Sequence, residues 1–396
     1  MKALRFSASP TRLAFGFAAS RSLPAFCPSR LGPLQLVDLP DPMPADPQWK
    51  VLSVRYCGLC GSDRKEIYFE TSATNPMSAV VGLPHVIGHE VVGEVDGVPM
   101  VVDPWLSCLA KGISPQCKPC QAGRAQLCLH LGANDTGLHA GASKRYAGGF
   151  AERTLVHQTQ LHRIPDGVSW EQAALADPAG IAIHAINQCP PGPTVLVIGC
   201  GAIGLLLICL VRRLHPNTEI TAVATFANQQ RLARLLGADR VVQPEDPIAQ
   251  HLTGAMSGRV MRPLVGSAWL WGDTYAVVYD TVGSSASTAL AIRTVGSGGL
   301  IARIGLAEPN QVDYALLTTK EACIRGLSGY AGQPSGQHPI DSFLAMGAEG
   351  SIHPELIITH RFPLSQYRKA FAIYHGAART QAVKVLLHPD QLASQE

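Results

Sequence analysis

The sequence predicts an α/β protein of two domains, one β-rich and one built on a doubly wound parallel sheet. Three observations lead there. At 396 residues the chain is longer than one comfortable hydrophobic core. Short β-type runs separated by Gly and Pro fill about 48–102, whereas strand, glycine turn and helix alternate over about 194–306. After about 325 the Gly/Pro-rich pattern returns and ends in an apolar strand, so the tail is expected to rejoin the first domain. The expected boundaries are 1–185 with 326–396 for the β-rich domain and 186–325 for the parallel-sheet domain.

Composition narrows the class. Charged residues are 15% and apolar types 46%, so the interior is large relative to the surface. A net charge of +3, with no long Lys or Arg run, argues against nucleic acid as a partner. Eleven cysteines, four of them at metal-type spacing, suit a reducing compartment, and the cytoplasm is the expectation. The nearly uncharged run 194–211 is interrupted by glycines and preceded by prolines, and it reads as strand, turn and buried helix rather than a membrane span.

Residues 1–37 contain no acid and carry Arg5, Arg12, Arg21 and Arg30 among serines. That is either the composition of an organelle transit peptide or, as the plainer reading, a first strand at 1–4 followed by an extended hairpin. Strands are expected at 51–54 and 91–95. In the second domain they are expected at 195–198, 220–224 and 277–279, with helices at 205–214 and 229–236. A helix at 364–374 and a strand at 382–387 close the chain.

Two metal sites of different kind are expected. Cys60-Gly61-Ser62-Asp63 and Gly88-His89-Glu90 place a thiolate and an imidazole beside glycines that allow tight turns. A catalytic zinc needs a third ligand and one open position. Asp177, an acid in the apolar stretch Leu175-Ala176-Asp177-Pro178, is the best candidate, because a buried unpaired carboxylate is costly. Glu90 is the alternative ligand, or a neighbour that balances charge; Asp63 is placed to orient a ligand. Cys117-x2-Cys120-x7-Cys128, with Cys108 upstream, supplies four thiolates to close a structural zinc in a lobe at about 104–130; two disulfides are the competing reading.

The coenzyme signal is Gly199-Cys200-Gly201-Ala202-Ile203-Gly204, which follows an apolar strand and opens an apolar helix. The glycines allow a tight turn and close approach of a pyrophosphate to the helix N-terminus. The second strand ends Ala222-Val223-Ala224-Thr225 without the acid that selects NAD. The lean is therefore to NADP, with Thr225 and Arg231 as phosphate contacts, and Val282 lies on a strand-end loop expected near the nicotinamide.

These motifs in this order resemble the zinc-dependent medium-chain dehydrogenase/reductase family over nearly the whole chain. The resemblance implies a GroES-like catalytic domain interrupted by a Rossmann domain, two zinc ions per chain, NAD or NADP as coenzyme, and homodimers or homotetramers. Asp177-Pro178 looks like the acid-Pro of the polyol and sugar branch, which usually has Glu. Three departures stand out: eight residues separate Cys108 from Cys117 where the family has two, Lys65 stands where a relay His is frequent, and the 6–37 segment is long. The implied reaction is reversible oxidation of a secondary alcohol of polyol, sugar or amino-alcohol type to a ketone. Cys60, His89 and Asp177 would hold the catalytic zinc, and Ser62 is placed to take the alcohol proton. A carbonyl reductase using NADPH, or a nucleotide-binding protein without catalysis, are the competing functions.

Overall fold

A computed structural model describes residues 1–70, 75–246, 248–306, 311–332 and 337–390. The chain forms two units, one of 1–177, 330–349 and 358–396 and the other of 178–329 and 350–357. The second unit thus takes back a short stretch at 350–357 that the sequence pattern had assigned to the first.

In the first unit a seven-stranded sheet runs in the order Ile358–Pro363, Lys384–His388, Trp49–Gly58, Glu90–Val95, Val98–Val102, Leu161–Arg163, with Arg153–His157 also paired to Trp49–Gly58. Every pairing is antiparallel except the first. A three-stranded sheet, Leu34–Asp38, Lys2–Phe6 and His85–Val86, accompanies it. The shared core includes Leu4, Leu52, Leu59, Ile87, Phe150, Phe371 and Leu387, so the first and last segments of the chain are packed together. Burying one such side chain contributes about 1.5–3 kcal/mol.

The 1–37 segment differs from the expected hairpin. Lys2 does pair with Asp38 and Phe6 with Leu34, but the connection contains the helix Pro10–Ser22. Pro10 fixes the first turn, and only Thr11 in the run PTRLAFGFAASRS is β-branched, so local propensity favours helix over the extended alternative.

The second unit holds a six-stranded sheet, all parallel, ordered Arg240–Val242, Glu219–Val223, Thr194–Ile198, Tyr275–Asp280, Val295–Arg303, Cys323–Gly326. Chain direction across the sheet reverses on either side of Thr194–Ile198, which makes its carboxyl end the topological switch point. The helix Ala202–Leu214 starts three residues earlier than the hydrophobic run suggests, because extended Gly201 caps it. The strand pair Arg259–Met261 and Trp269–Trp271 has no counterpart in the expectations. Lys320, almost fully buried, donates to the carbonyls of Ile292, Arg293 and Val295 where the helix Ser285–Thr294 ends. Among the described residues, no helix is long and apolar enough to cross a membrane.

Candidate metal and coenzyme sites

The first centre is assembled by the strand Trp49–Gly58 and the turn before Glu90–Val95. Cys60 caps the short helix Gly61–Ile67, with its backbone N–H held by Asp63 Oδ2 at 2.9 Å. Gly88 has φ +94°, and a Cβ there would meet the Phe150 ring at 2.8 Å and Cys57 Sγ at 2.9 Å. Glycine at 88 is therefore required both by backbone conformation and by space, and it delivers His89 beside Cys60.

Ligand atoms of Cys60, His89 and Glu90 lie within 4.8 Å of one another. Asp63 Oδ1 is 3.7 Å from His89 Nδ1, near enough for its charge to act on the ring. Burial presses His89 down, but the charges of Cys60 and Asp63 outweigh it and hold the imidazole up at about 10. Burial works against the Cys60 thiolate too, and the His89 charge overrides it, so that thiol is held below its ordinary value. Glu90 is ion-paired with Lys384, both almost fully buried.

Asp177 falls outside the 4.8 Å group, although its charge acts on His89. Its Oδ1 accepts from the Tyr330 hydroxyl at 2.7 Å, and burial raises its carboxyl to about 6. Ser62 sits half-buried in the first turn of the helix that Cys60 caps. A soft thiolate, an imidazole and buried carboxylates outnumbering the one buried lysine form a donor set that suits a divalent zinc ion.

Sequence reading missed His139, Tyr330 and Lys384. His139 stands 4.8 Å from the His89 ring and is driven down to about 3, chiefly by burial. Tyr330 lies in a Gly-rich stretch that gives no signal. Lys384 did give one, a lone cation inside the apolar run 382–387.

The second centre is local. Sγ atoms of Cys108, Cys117, Cys120 and Cys128 all lie within 4.8 Å, with Cys108 to Cys128 at 3.7 Å and Cys117 to Cys128 at 4.0 Å. All four are free thiols, so the disulfide alternative is not realised. Backbone N–H groups of Cys108 and Cys117 point at the sulfurs of Cys120 and Cys108, at 3.3 and 3.4 Å. N–H donors aimed at sulfur favour thiolate, and four thiolates so gathered suit a closed tetrahedral zinc.

In the second unit Gly199 has φ +91°, and its missing Cβ leaves room for the side chains of Val282 and Thr281. A Cβ on Gly201 would meet nothing within 4 Å, so the backbone at the helix start is open to an approaching phosphate. Ala202, Ile203 and Gly204 form the first turn of the helix behind it. Thr225 and Arg231 are exposed, Arg231 donating to Asn228 at 3.1 Å, and Val282 is 44% exposed. These features fit a dinucleotide.

Two family models match the chain, the alcohol dehydrogenase GroES-like domain over 46–166 and the zinc-binding dehydrogenase over 202–345. The chain belongs to the zinc-dependent medium-chain alcohol dehydrogenase family, oxidoreductases that act on CH–OH groups with zinc and NAD(P). It is 28% identical to a D-arabitol-phosphate dehydrogenase of Enterococcus avium over 85% of this chain and 90% of that one. A sorbitol dehydrogenase of Halalkalibacterium halodurans is 26% identical over 90% and 96%. A short chain alcohol dehydrogenase from Escherichia coli CFT073, complexed with NADH, superposes with a TM-score of 0.73 at 22% identity over 98% and 99% of the two chains.

Proposed function

We propose that this chain oxidises a secondary alcohol of the polyol, sugar or amino-alcohol class, reversibly, with two zinc ions per chain and a lean toward NADP. The observation that carries the reading is the Cys60–His89 pair surrounded by buried carboxylates. Cys60, His89 and Asp177 hold the catalytic ion. Glu90 already has Lys384 as its cation, whereas Asp177 accepts from the neutral Tyr330 hydroxyl on one oxygen and faces the charge of His89, which suits its other oxygen to a metal. When bound, zinc supplies Lewis acidity at the alcohol oxygen and the nicotinamide supplies the hydride acceptor. Asp63 orients His89, Tyr330 orients Asp177, and Ser62 receives the alcohol proton and passes it outward.

The turn Gly199 to Gly204 seats the pyrophosphate, and the acid-free end at Thr225 admits a 2′-phosphate, with Arg231 as its cation. The relatives named for arabitol phosphate and sorbitol support a polyhydroxylated substrate. We also propose a cytoplasmic homodimer or homotetramer. The test is turnover of a polyol and amino-alcohol panel with NAD and NADP, together with zinc content. Cys60→Ala and His89→Ala should lose more than about 10³-fold in kcat, about 4 kcal/mol, and keep the unfolding midpoint. Full activity in either variant would sink the assignment.

A further inference from the structure

We propose a third metal site in the first unit, formed by Asp103, His162 and His338, that takes a borderline divalent cation such as zinc or cobalt. None of the three belongs to the Cys60 group, although Asp103 and His338 adjoin it through Tyr330, whose ring lies 5.4 Å from that of His338. One ligand atom from each lies within 4.8 Å of the other two. Val101 pairs with His162, and Asp103, just past the strand end at Val102, still donates its N–H to the Gln160 carbonyl at 2.8 Å, so Asp103 and His162 are diagonal neighbours on one face of the sheet. The start of the helix Pro339–Ala348 brings His338 over them.

The two imidazole rings stack at 4.3 Å with 28° between planes, an arrangement in which neither hydrogen-bonds the other. His338 Nε2 stands 3.5 Å from Asp103 Oδ2, too far for a good hydrogen bond. His162 Nδ1 contacts Asp341 Oδ1 at 2.8 Å. A carboxylate on one ring nitrogen puts the proton there and leaves the other nitrogen as the donor, the arrangement that orients metal-ligating histidines. Two imidazoles and one carboxylate suit zinc, cobalt, nickel or iron(II). With bonds of about 2.0–2.2 Å, ligand atoms in a tetrahedral site stand about 3.3–3.6 Å apart, so binding shortens the separations in this set by about 1.5 Å at most.

One ligand is shared with another task. His338 Nδ1 accepts from the Ile340 N–H at 3.3 Å and caps the helix. When a cation takes the nitrogen facing Asp103, the ring proton moves to Nδ1 and that cap contact is released. Binding should therefore tighten the histidines and loosen the first turn of the helix, two effects of opposite sign on neighbouring amides.

The experiment compares zinc per chain in the full-length protein and in His162→Ala/His338→Ala, each saturated with zinc and freed of excess. We expect one ion fewer in the variant, whatever the total at the cysteine-containing sites, with an unfolding midpoint lowered only by the loss of the His338 helix cap. Asp341→Asn should retain the site with affinity weakened about 10–100-fold. Equal zinc in wild type and double variant overturns the proposal. Should the double variant fail to fold, cobalt titration of the wild type decides. A cobalt ion that adds visible ligand-field absorption without thiolate charge transfer, and raises amide exchange at Ile340, supports the site; cobalt bound only with thiolate bands overturns it.

Discussion

The cysteine lobe and the Cys60 centre belong to the same unit and differ in how they are held. Cys108 to Cys128 are near neighbours in sequence, and almost everything that positions the sulfurs lies within that loop. The Cys60 centre draws on Asp63, His89, Glu90, Asp177, Tyr330 and Lys384, which span most of the chain. A site of the first kind stands or falls with its ligand; a site of the second kind is held by the core. On the proposed zinc assignment, the same metal chemistry would serve as a folding determinant in one place and as a guest of a finished fold in the other.

The largest effect should come from breaking the lobe. Cys117→Ser removes one of four thiolates from a loop with little core of its own, and structural zinc binding in small motifs is worth about 10–16 kcal/mol. We expect loss of soluble protein, or early proteolysis confined to 104–130; a wild-type yield and melting point would erase the contrast. Lys384→Met strikes the other centre through its support. It strands Glu90 as a buried, unpaired carboxylate and should lower stability by about 3–5 kcal/mol, read by urea unfolding, with Lys384→Met/Glu90→Gln recovering much of the loss.

Acid should separate both metal centres from a third effect in the second unit. His251 is fully buried, neither ring nitrogen has a hydrogen-bond partner among the described residues, and burial lowers it from 6.5 to about 4. Between those values the unfolded chain takes a proton that the folded chain refuses, so stability falls as pH drops from 6.5 toward 4. The loss is about 3 kcal/mol at most. His251→Leu should flatten that slope while metal release with acid continues; an unchanged slope would show that the titration belongs elsewhere. The smallest effect is Tyr330→Phe, which removes the hydroxyl from Asp177 and should reduce kcat about tenfold, about 1.4 kcal/mol, with zinc retained.

What could be read from the sequence follows the same division. The four cysteines, the turn Gly199 to Gly204 and the parallel strands were legible because each is a local pattern of spacing or period. Cys60 and His89 were legible through their glycine frames. Tyr330 was not, since its role comes from the fold bringing it to Asp177, 153 positions away in sequence. The helix Pro10–Ser22 was not legible because its serines and glycine also suit a loop, and its one strong helix signal is the near absence of β-branched residues. Asp103, His162 and His338 were invisible as a group, because sheet register and a helix cap bring them together.

The pairing of Lys384 with Glu90 also sets a schedule. The lobe has all four sulfurs once residue 128 has left the ribosome, whereas the Cys60 centre lacks its balancing cation until residue 384 emerges. At about 5–20 residues per second, tens of seconds separate those moments. On the proposed assignment, a nascent chain can thus gather the four thiolates of the lobe well before the cation that balances the Cys60 centre is made.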